Sequence, residues 1–581
     1  PSHSFPLLHE INALWTALLN TDATSSASIA PAAPRSAAAL LPKLLIGLAL
    51  AAFIGYLIVY VIYAVQLFRF PFDYDQGEGF ELMDTILFSR GEWPYRDNDA
   101  YPFYSSNYPP LFHVVTVPLV WLFGPQYWTG RLVSFLGTLL TAAAIGYAVA
   151  RGQPRSREHA PSRGRGRWWL AALSGLAFLA SNYVYHVGPL FRQHMFMVMF
   201  ETLAVVLLAV VIEREESDGR RRTLGLLGVM ALLLAAGYTK QLAYATVIAV
   251  FIFLFLRGPW RAVRWAVPFA LVTGLLFLGI NVATNGQWML NTITANLNPF
   301  VPGQAEGLFR QWFGLHTVLV VAAALYALYQ LYATRLSIYA IWFVVATVNS
   351  VTAGKWGAGE SYFATAIAAA CILSGLAFDH LLSWNAGRRW RTPRAAAWAA
   401  VLLPSLIALL YLWQARLVFH MPTHTPALAA VARALGQPDA VLIAPQTSCS
   451  LPRPPEAIPY VDAVGATLLG RPPTAADTLA GQQIAALIAA GDTAAFSEDA
   501  RFNLYLGRDV VTNPTQLLNL YTNNAVDLTE MLAMLDAQAF DTVVLRAQFY
   551  PPPVLDVIGQ RYETTHLVQM NGFVYCVMRP R

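Results

Sequence analysis

The feature that most constrains this chain is a series of apolar segments about as long as a lipid bilayer is thick. A hydrocarbon core about 30 Å thick takes about 20 apolar residues in a helix, and backbone inside lipid must satisfy its own hydrogen bonds. The segments lack the alternating pattern of barrel strands, so they predict a polytopic α-helical membrane protein with about 11 transmembrane helices. They lie near residues 44–67, 127–150, 168–189, 194–212, 223–239, 241–257, 265–284, 314–333, 336–353, 362–382 and 396–414.

Composition and charge agree with a membrane environment. Hydrophobic residues make up 56% of the chain and charged residues only 12%, whereas a soluble domain carries about 25% charged residues. The net charge of +5 comes from arginines in short clusters between the apolar segments, as in cytoplasmic membrane loops and unlike a nucleic-acid-binding surface. We therefore expect membrane lipid, and no nucleic acid, as a partner.

One further apolar run, 110–123, is too short to be assigned by length, because 14 residues rise only about 21 Å in a helix. Charge resolves it, since counting it as a span would place the arginine-rich loop 151–167 outside. We interpret it as a re-entrant or interfacial helix. The resulting topology predicts a protein integral to the plasma membrane, with a cytoplasmic tail (1–43), a transmembrane domain (44–414) with a long outer loop (68–126), and an extracytoplasmic domain (415–581).

The C-terminal region alternates strand-like and helical runs separated by turn residues. Val441–Ala444, Thr542–Leu545 and Phe573–Val577 resemble strands, and Ala525–Ala539 resembles a helix. This pattern predicts a small α/β domain. Cys449 and Cys576 both fall in it, and a disulfide between them is left open.

The loop after the first span is acidic, with Asp73, Asp75 and Glu78 inside six residues. Carboxylates this close together favour either a bound divalent cation or one carboxylate that acts as a general base. The alternative is a solvated juxtamembrane loop without chemistry.

The order of features across residues 44–150 resembles the GT-C superfamily of membrane glycosyltransferases, in particular the branch with protein O-mannosyltransferases and the lipid A aminoarabinose transferase. The resemblance implies transfer of a sugar from a polyprenyl-phosphate donor to an extracytoplasmic protein, lipid or glycan by a single inverting displacement. It also implies Asp75 as catalytic base or metal ligand. Gln76 stands where the family usually has Glu, and Glu78 is close enough to substitute as a second catalytic carboxylate and metal ligand. The features are the first span, the acidic loop, an amphipathic helix, Gly91-x-x-Pro94-Tyr95, Tyr108-Pro-Pro-Leu111, Phe123-Gly124 and Arg131-Leu132.

Polar residues of the other outer loops complete the expected site. The turn from Gly354 to Tyr362 resembles a glycine-rich segment of related bacterial glycosyltransferases, and its amides are expected to help hold a phosphate. Each lone cation has an alternative interpretation as an interfacial side chain that reaches lipid headgroups. The predicted substrate-binding residues are Asp73, Tyr108, Arg192, His194, Lys240, Lys355, Glu360 and Tyr362.

Two other functions stay open on sequence alone. A catalytically silent subunit of a larger membrane complex is compatible with Gln76 and with Arg192, which replaces an acidic or polar family residue. A transporter of lipid-linked substrates would predict charged spans and inverted repeats, and the sequence displays neither. His186, Glu201 and His316 are expected to be structural, with Glu201 facing the helix bundle because a lipid-facing carboxylate is costly.

Overall fold

A computed structural model describes residues 36–152, 167–387, 392–421, 426–436, 472–571 and 573–581. Most of these residues are helical. The helices up to residue 283 are α1 (Ser36–Arg69), α2 (Glu78–Ser89), α3 (Leu111–Phe123), α4 (Tyr127–Arg151), α5 (Trp168–Ala180), α6 (Asn182–Val187), α7 (His194–Asp218), α8 (Thr223–Thr239), α9 (Tyr244–Arg257) and α10 (Pro259–Ala283). They are followed by α11 (Gln287–Thr292), α12 (Pro302–Ala333), α13 (Ile338–Asn349), α14 (Ala364–Gly387), α15 (Pro393–Leu417) and α16 (Pro426–Ala434).

Seven helices in the described residues are long and apolar enough to cross a membrane. These are α1 from Leu40 onward, α4, α7, α10, α12, α15, and α14 together with the 3-10 turn before it. The other four predicted spans correspond to the shorter apolar helices α5, α8, α9 and α13. The fold is therefore a polytopic helical bundle, while the total of eleven crossings stays a prediction.

Several predicted boundaries are wrong. The first helix begins at Ser36, inside the predicted tail of residues 1–43, because the run from Ser36 to Leu41 is itself helix-forming. The segment 168–189 is divided into α5 and α6 at Ser181. Helix α12 begins at Pro302, well before residue 314, and is kinked at His316, where the backbone leaves helical geometry.

The C-terminal region contains a four-stranded sheet with helices around it. Its strands are β1 (Phe496–Ser497), β2 (Val543–Leu545), β3 (Tyr562–Met570) and β4 (Phe573–Pro580), in the order β1-β2-β4-β3. Strand β1 is parallel to β2, and the other pairs are antiparallel, with Val544 opposite Val577 and Leu567 opposite Cys576. The helices are α17 (Ala475–Ala489), α18 (Arg501–Tyr505), α19 (Pro514–Thr522), α20 (Thr529–Asp536) and α21 (Pro552–Arg561).

The predicted α/β character of this region is confirmed. Two of the predicted strands correspond to β2 and β4, and the predicted helix over 525–539 is shorter and corresponds to α20. Strand β3 was not predicted. Val441–Ala444 and Cys449 lie outside the described residues, as do residues 1–35 of the predicted tail.

The sheet region packs directly against the first long loop. Phe70 and Phe72 lie in one hydrophobic cluster with Ile484 and Tyr575, and Phe103 belongs to a second cluster formed by the C-terminal helices and strands. The loop and the C-terminal domain therefore lie on the same side of the bundle, as predicted. Basic residues from two different connections meet elsewhere, where Arg257, Arg261 and Arg335 pair with Glu215 or Glu216.

Candidate functional site

The site is built around an ion pair between Asp75 and Arg192. Asp75 follows α1 in the first loop, and Arg192 lies in the turn before α7. Arg192 donates to Asp75 Oδ2 from Nε at 2.9 Å and from Nη2 at 2.7 Å. The carboxylate keeps 34% of its surface exposed. Burial raises the pKa of Asp75, but the Arg192 guanidinium outweighs it and holds the pKa below its ordinary value. Asp75 is thus ionised at neutral pH and accessible to a ligand.

Arg192 also reaches a second carboxylate. Its Nη1 lies 3.5 Å from Glu81 Oε1, and Gln193 donates to the same oxygen at 2.9 Å when its amide nitrogen faces Glu81. Glu81 is almost fully buried on α2, and burial raises its pKa to about 8, although the Arg192 charge opposes the shift. The guanidinium is therefore held in place from two sides.

Lys240 lies between two aromatic rings beside this pair. Its Nζ is 4.5 Å from the centroid of the Tyr108 ring and 5.6 Å from that of Tyr362, and 3.4 Å from His194 Nδ1. The Tyr108 segment is fixed there because Gln241 donates to the Asn107 carbonyl at 3.1 Å. Burial lowers the pKa of Lys240 well below its ordinary value, even though the Glu81 carboxylate opposes the shift.

The charges of Arg192 and Lys355 lower the pKa of Lys240 further. Among the described residues, Lys240 makes no ion pair with a carboxylate. This buried amine would gain its full charge when an anion arrives beside it.

Lys355 approaches the same region, but the glycine-rich turn around it does not act as predicted. The amides of Lys355, Trp356 and Ala358 bond to Thr352, Pro299 and Lys355 carbonyls at 2.9–3.1 Å. The expectation that exposed amides of this turn hold a phosphate is therefore wrong at these three positions, because the turn uses them itself. The side chain remains available, since among the residues that the structure describes Lys355 Nζ donates only to the Asn296 carbonyl, at 2.6 Å.

The remaining predicted polar residues line the same region. His186 Nδ1 lies 3.1 Å from Glu360 Oε1, and the charges of both residues act on Asp75. His194 Nε2 lies 3.0 Å from Ser361 Oγ. The structure thus brings seven of the predicted residues into one neighbourhood: Asp75, Tyr108, Arg192, His194, Lys240, Glu360 and Tyr362, with Lys355 at its edge.

Glu78 has a different environment from the one predicted. It is fully buried, and Arg131 donates to it from Nε at 2.9 Å and from Nη2 at 2.8 Å. The amides of Phe191 and Tyr74 donate to the same carboxylate at 2.6 and 2.7 Å. Each oxygen of Glu78 therefore already accepts two hydrogen bonds, one of them from the positively charged Arg131, and Asp75 with Glu78 does not fit as a pair of metal ligands. No chemical step is assigned to a metal ion at this pair.

Asp73 is also turned away from the exposed site. It is fully buried and accepts from the Gly79 amide at 2.9 Å, which fixes the first turn of α2. Burial raises its pKa to about 7, although the Arg501 charge of the C-terminal domain opposes the shift. This environment argues against the predicted role of Asp73 in substrate binding.

Gln76 joins the first loop to the C-terminal domain. Arg546 donates to Gln76 Oε1 at 2.9 Å, and Gln76 donates to the Glu498 carbonyl at 3.3 Å. The Arg546 guanidinium lies over the Phe573 ring at 4.0 Å and contributes to lowering the pKa of Asp75. Gln76, in place of the family's usual Glu, is therefore explained by its contacts with the C-terminal domain. Sequence reasoning missed Arg546 because it lies 470 residues from Gln76.

Sequence reasoning also missed a buried cluster of Glu81, Asp84 and His113 next to this site. Glu81 and Asp84 are three residues apart, so they lie on one face of α2. That spacing was the available signal. Glu201 and His316 are structural, as predicted: Glu201 is buried in the bundle and accepts from Thr246 and Thr365 at 2.6 and 2.7 Å, and His316 contacts Ser181 Oγ at 2.8 Å.

The sequence matches no protein-family profile and, compared chain by chain, no curated protein. Among solved structures, the fold is similar to ArnT from Cupriavidus metallidurans bound to undecaprenyl phosphate, with 17% identity over 91% of this chain and 98% of that chain and a TM-score of 0.53. The apo state of ArnT matches with 16% identity over 93% of this chain and 98% of that chain and a TM-score of 0.52. ArnT is a member of the GT-C superfamily, so the resemblance seen in the sequence is confirmed at the level of the fold.

Proposed function

We propose that this chain, which has a GT-C fold, is a membrane glycosyltransferase that transfers a sugar from a polyprenyl-phosphate donor to an extracytoplasmic acceptor. The observation that carries the proposal is one ionised, accessible carboxylate, Asp75, paired with Arg192 in a region where the charges of Arg192 and Lys355 also act on the buried amine of Lys240. One solved structure with a similar fold, ArnT from Cupriavidus metallidurans, holds undecaprenyl phosphate. A lipid-linked phosphate is a ligand of the matching charge.

In this proposal Asp75 is the general base. Its Oδ1 oxygen accepts the proton of the acceptor hydroxyl while that hydroxyl attacks the anomeric carbon of the donor sugar. The bond between that carbon and the phosphate oxygen breaks, the polyprenyl phosphate leaves, and the anomeric configuration is inverted. Arg192 holds Asp75 in orientation through the Oδ2 oxygen. Oδ1 accepts a long hydrogen bond from the Gly77 amide, at 3.4 Å, and its second lone pair is left for the acceptor.

The leaving phosphate needs positive charge, and Lys240 and Lys355 supply it. Burial lowers the pKa of both amines. A phosphate between them stabilises the charged form of both amines. The attraction is strongest when negative charge develops on the leaving oxygen. Tyr108 and Tyr362 fix Lys240 by cation–π contact, and we assign them to positioning.

The proposal includes the membrane topology expected from the sequence. The domain of residues 415–581 lies with the loop 68–126 on the outer face of the plasma membrane, and the N-terminus lies in the cytoplasm. The short helix α3 is interfacial, and helices α5, α8, α9 and α13 complete eleven spans. The acceptor enters from the extracytoplasmic side, next to Arg546 and Gln76 of the domain contact.

A second candidate function is a non-catalytic subunit that binds the lipid phosphate within a larger complex. The observation in its favour is the Asp75–Arg192 pair itself, since the guanidinium neutralises the carboxylate that would act as base. This candidate predicts binding of polyprenyl phosphate without turnover.

Two measurements separate these functions. Undecaprenyl phosphate binding to the purified protein in nanodiscs is measured by native mass spectrometry, and Lys355→Met is expected to weaken it about tenfold, as loss of one charge-assisted contact of about 1.5 kcal/mol does. Transfer is then measured with a panel of undecaprenyl-phosphate-linked hexoses and pentoses, using Asp75→Asn as the matched variant that keeps side-chain shape.

The expected result is turnover by the wild-type protein and a loss of at least about 100-fold in Asp75→Asn, the size of a general-base contribution. Equal turnover of the two proteins would remove Asp75 from the mechanism. Binding of undecaprenyl phosphate without turnover of any panel donor, in membranes or in nanodiscs, would favour the subunit function.

A further inference from the structure

Three side chains converge at a buried point between α2 and α3. His113 Nε2 lies 3.3 Å from Glu81 Oε2 and 3.7 Å from Asp84 Oδ2, and the ligand-type atoms of the three residues all lie within 4.8 Å of one another. His113 is fully buried and Glu81 and Asp84 almost so. Two ligand atoms bound to one tetrahedral zinc ion at about 2.0–2.1 Å are about 3.3 Å apart.

The hydrogen bonds of Thr85 decide which nitrogen of His113 carries the proton. The single hydroxyl proton of Thr85 is donated to the Glu81 carbonyl, at 2.9 Å. Thr85 Oγ1 also lies 3.3 Å from His113 Nδ1, so in that contact the oxygen accepts and Nδ1 is the donor. In neutral histidine, Nε2 then presents a lone pair toward two carboxylate oxygens.

A lone pair facing two carboxylates is repulsive unless a metal ion or a proton lies between them. His113 Nε2 is buried and makes no hydrogen bond within the described part of the chain. Neighbouring residues hold the three side chains in place. Tyr104 donates to Asp84 Oδ1 at 2.8 Å and Ser106 donates to Asp84 Oδ2 at 2.5 Å. Thr85 fixes the imidazole of His113. Such contacts orient a ligating histidine and carboxylate.

We propose that Glu81, Asp84 and His113 bind a divalent transition metal ion, zinc in the first place, that fastens α2 to α3. Two carboxylates and one imidazole are suitable zinc ligands, and three protein ligands leave a fourth position for water. The site is separate from Asp75 and Glu78, and the inference stands whether or not the chain transfers sugars. Through Glu81, the ion fixes the carboxylate that flanks Arg192.

The test measures metal directly. The protein is purified without chelator, equilibrated with zinc sulfate, desalted and analysed by inductively coupled plasma mass spectrometry. About one zinc ion per chain is expected, falling to less than about a tenth in His113→Gln and Asp84→Asn, since removal of a ligand abolishes a three-ligand site. His316→Gln is the matched control, because His316 is equally buried but contacts Ser181 and the Trp312 carbonyl; it keeps the zinc.

Thermal unfolding gives an independent readout. Chelator is expected to lower the melting temperature of the wild-type protein and to leave that of His113→Gln unchanged. A wild-type protein that holds no metal after equilibration with zinc, manganese or iron, and whose melting temperature does not respond to chelator, overturns the proposal. In that case a proton supplies the positive charge of the cluster.

Discussion

Replacing Glu78 by glutamine tests whether this residue stabilises the fold, as its observed environment indicates, or acts in catalysis, as the sequence predicts. The carboxylate is fully buried and accepts from Arg131 twice, from the Phe191 amide and from the Tyr74 amide. Glutamine keeps the shape and one carbonyl oxygen, but it removes the negative charge and turns an amide group toward these donors. The buried Arg131 guanidinium is left without its counter-charge.

The expected cost follows from the burial of this pair. Removing one partner of a buried ion pair destabilises a protein by about 3–5 kcal/mol. Arg131 keeps backbone acceptors, since it also donates to the Phe70 and Phe72 carbonyls at 2.8 and 2.7 Å, so we expect the lower end, about 3 kcal/mol. At about 1.4 kcal/mol per factor of ten, the ratio of folded to unfolded protein falls roughly 100- to 200-fold.

The assay is equilibrium unfolding by sodium dodecyl sulfate in mixed micelles, followed by circular dichroism. Asp75→Asn is the control, because it makes the same chemical change three residues earlier at a side chain that is 34% exposed. This variant is expected to lower the free energy of unfolding by less than about 1 kcal/mol, the range measured for ion pairs accessible to solvent. It is also expected to abolish transfer. If Glu78→Gln unfolds at the same detergent fraction as the wild-type protein and still loses activity, Glu78 acts in catalysis and our structural assignment is refuted.

Two further predictions concern pH and topology. Arg192 opposes the effect of burial on the Asp75 pKa, so Arg192→Met is expected to raise that pKa, and transfer should be lost at a higher pH on the acid side of the profile; an unshifted acid limb contradicts this. Thr564 and Arg220 are both exposed, so in intact cells an impermeant maleimide should label Thr564→Cys, whereas Arg220→Cys should need lysis, with the wild-type chain as background control. The reverse labelling would contradict the proposed orientation.

The helical bundle could be predicted from the sequence because each span satisfies its own backbone hydrogen bonds, so hydropathy and length are local information. The juxtaposition of Asp75 and Arg192 could also be predicted, since loops on the same side of a membrane share one compartment. The helix ends were less predictable. Helix α12, for example, extends beyond its apolar run through the polar residues before Phe313 and begins at Pro302. Hydropathy detects only the apolar part of such a helix.

The role of Glu78 could not be predicted, because its neighbourhood in the sequence is the same as that of Asp75. What distinguishes the two carboxylates is Arg131, which is 53 residues from Glu78, whereas Asp75 meets Arg192, which is 117 residues away. Partner choice depends on how α4 and α7 pack, and this is long-range information. His113 illustrates the same point, since only the packing of α3 on α2 brings it to Glu81 and Asp84.

The contact between Gln76 and Arg546 joins residues 470 positions apart, and this separation has a consequence for biosynthesis. Because synthesis proceeds from the N-terminal side, the loop with Asp75 is made well before Arg546 and Phe573. A nascent or prematurely terminated polypeptide therefore has an open, incompletely charged pocket. Only a molecule in which Arg546 has docked on the loop acquires the finished site, so that synthesis, docking and competence are ordered in time.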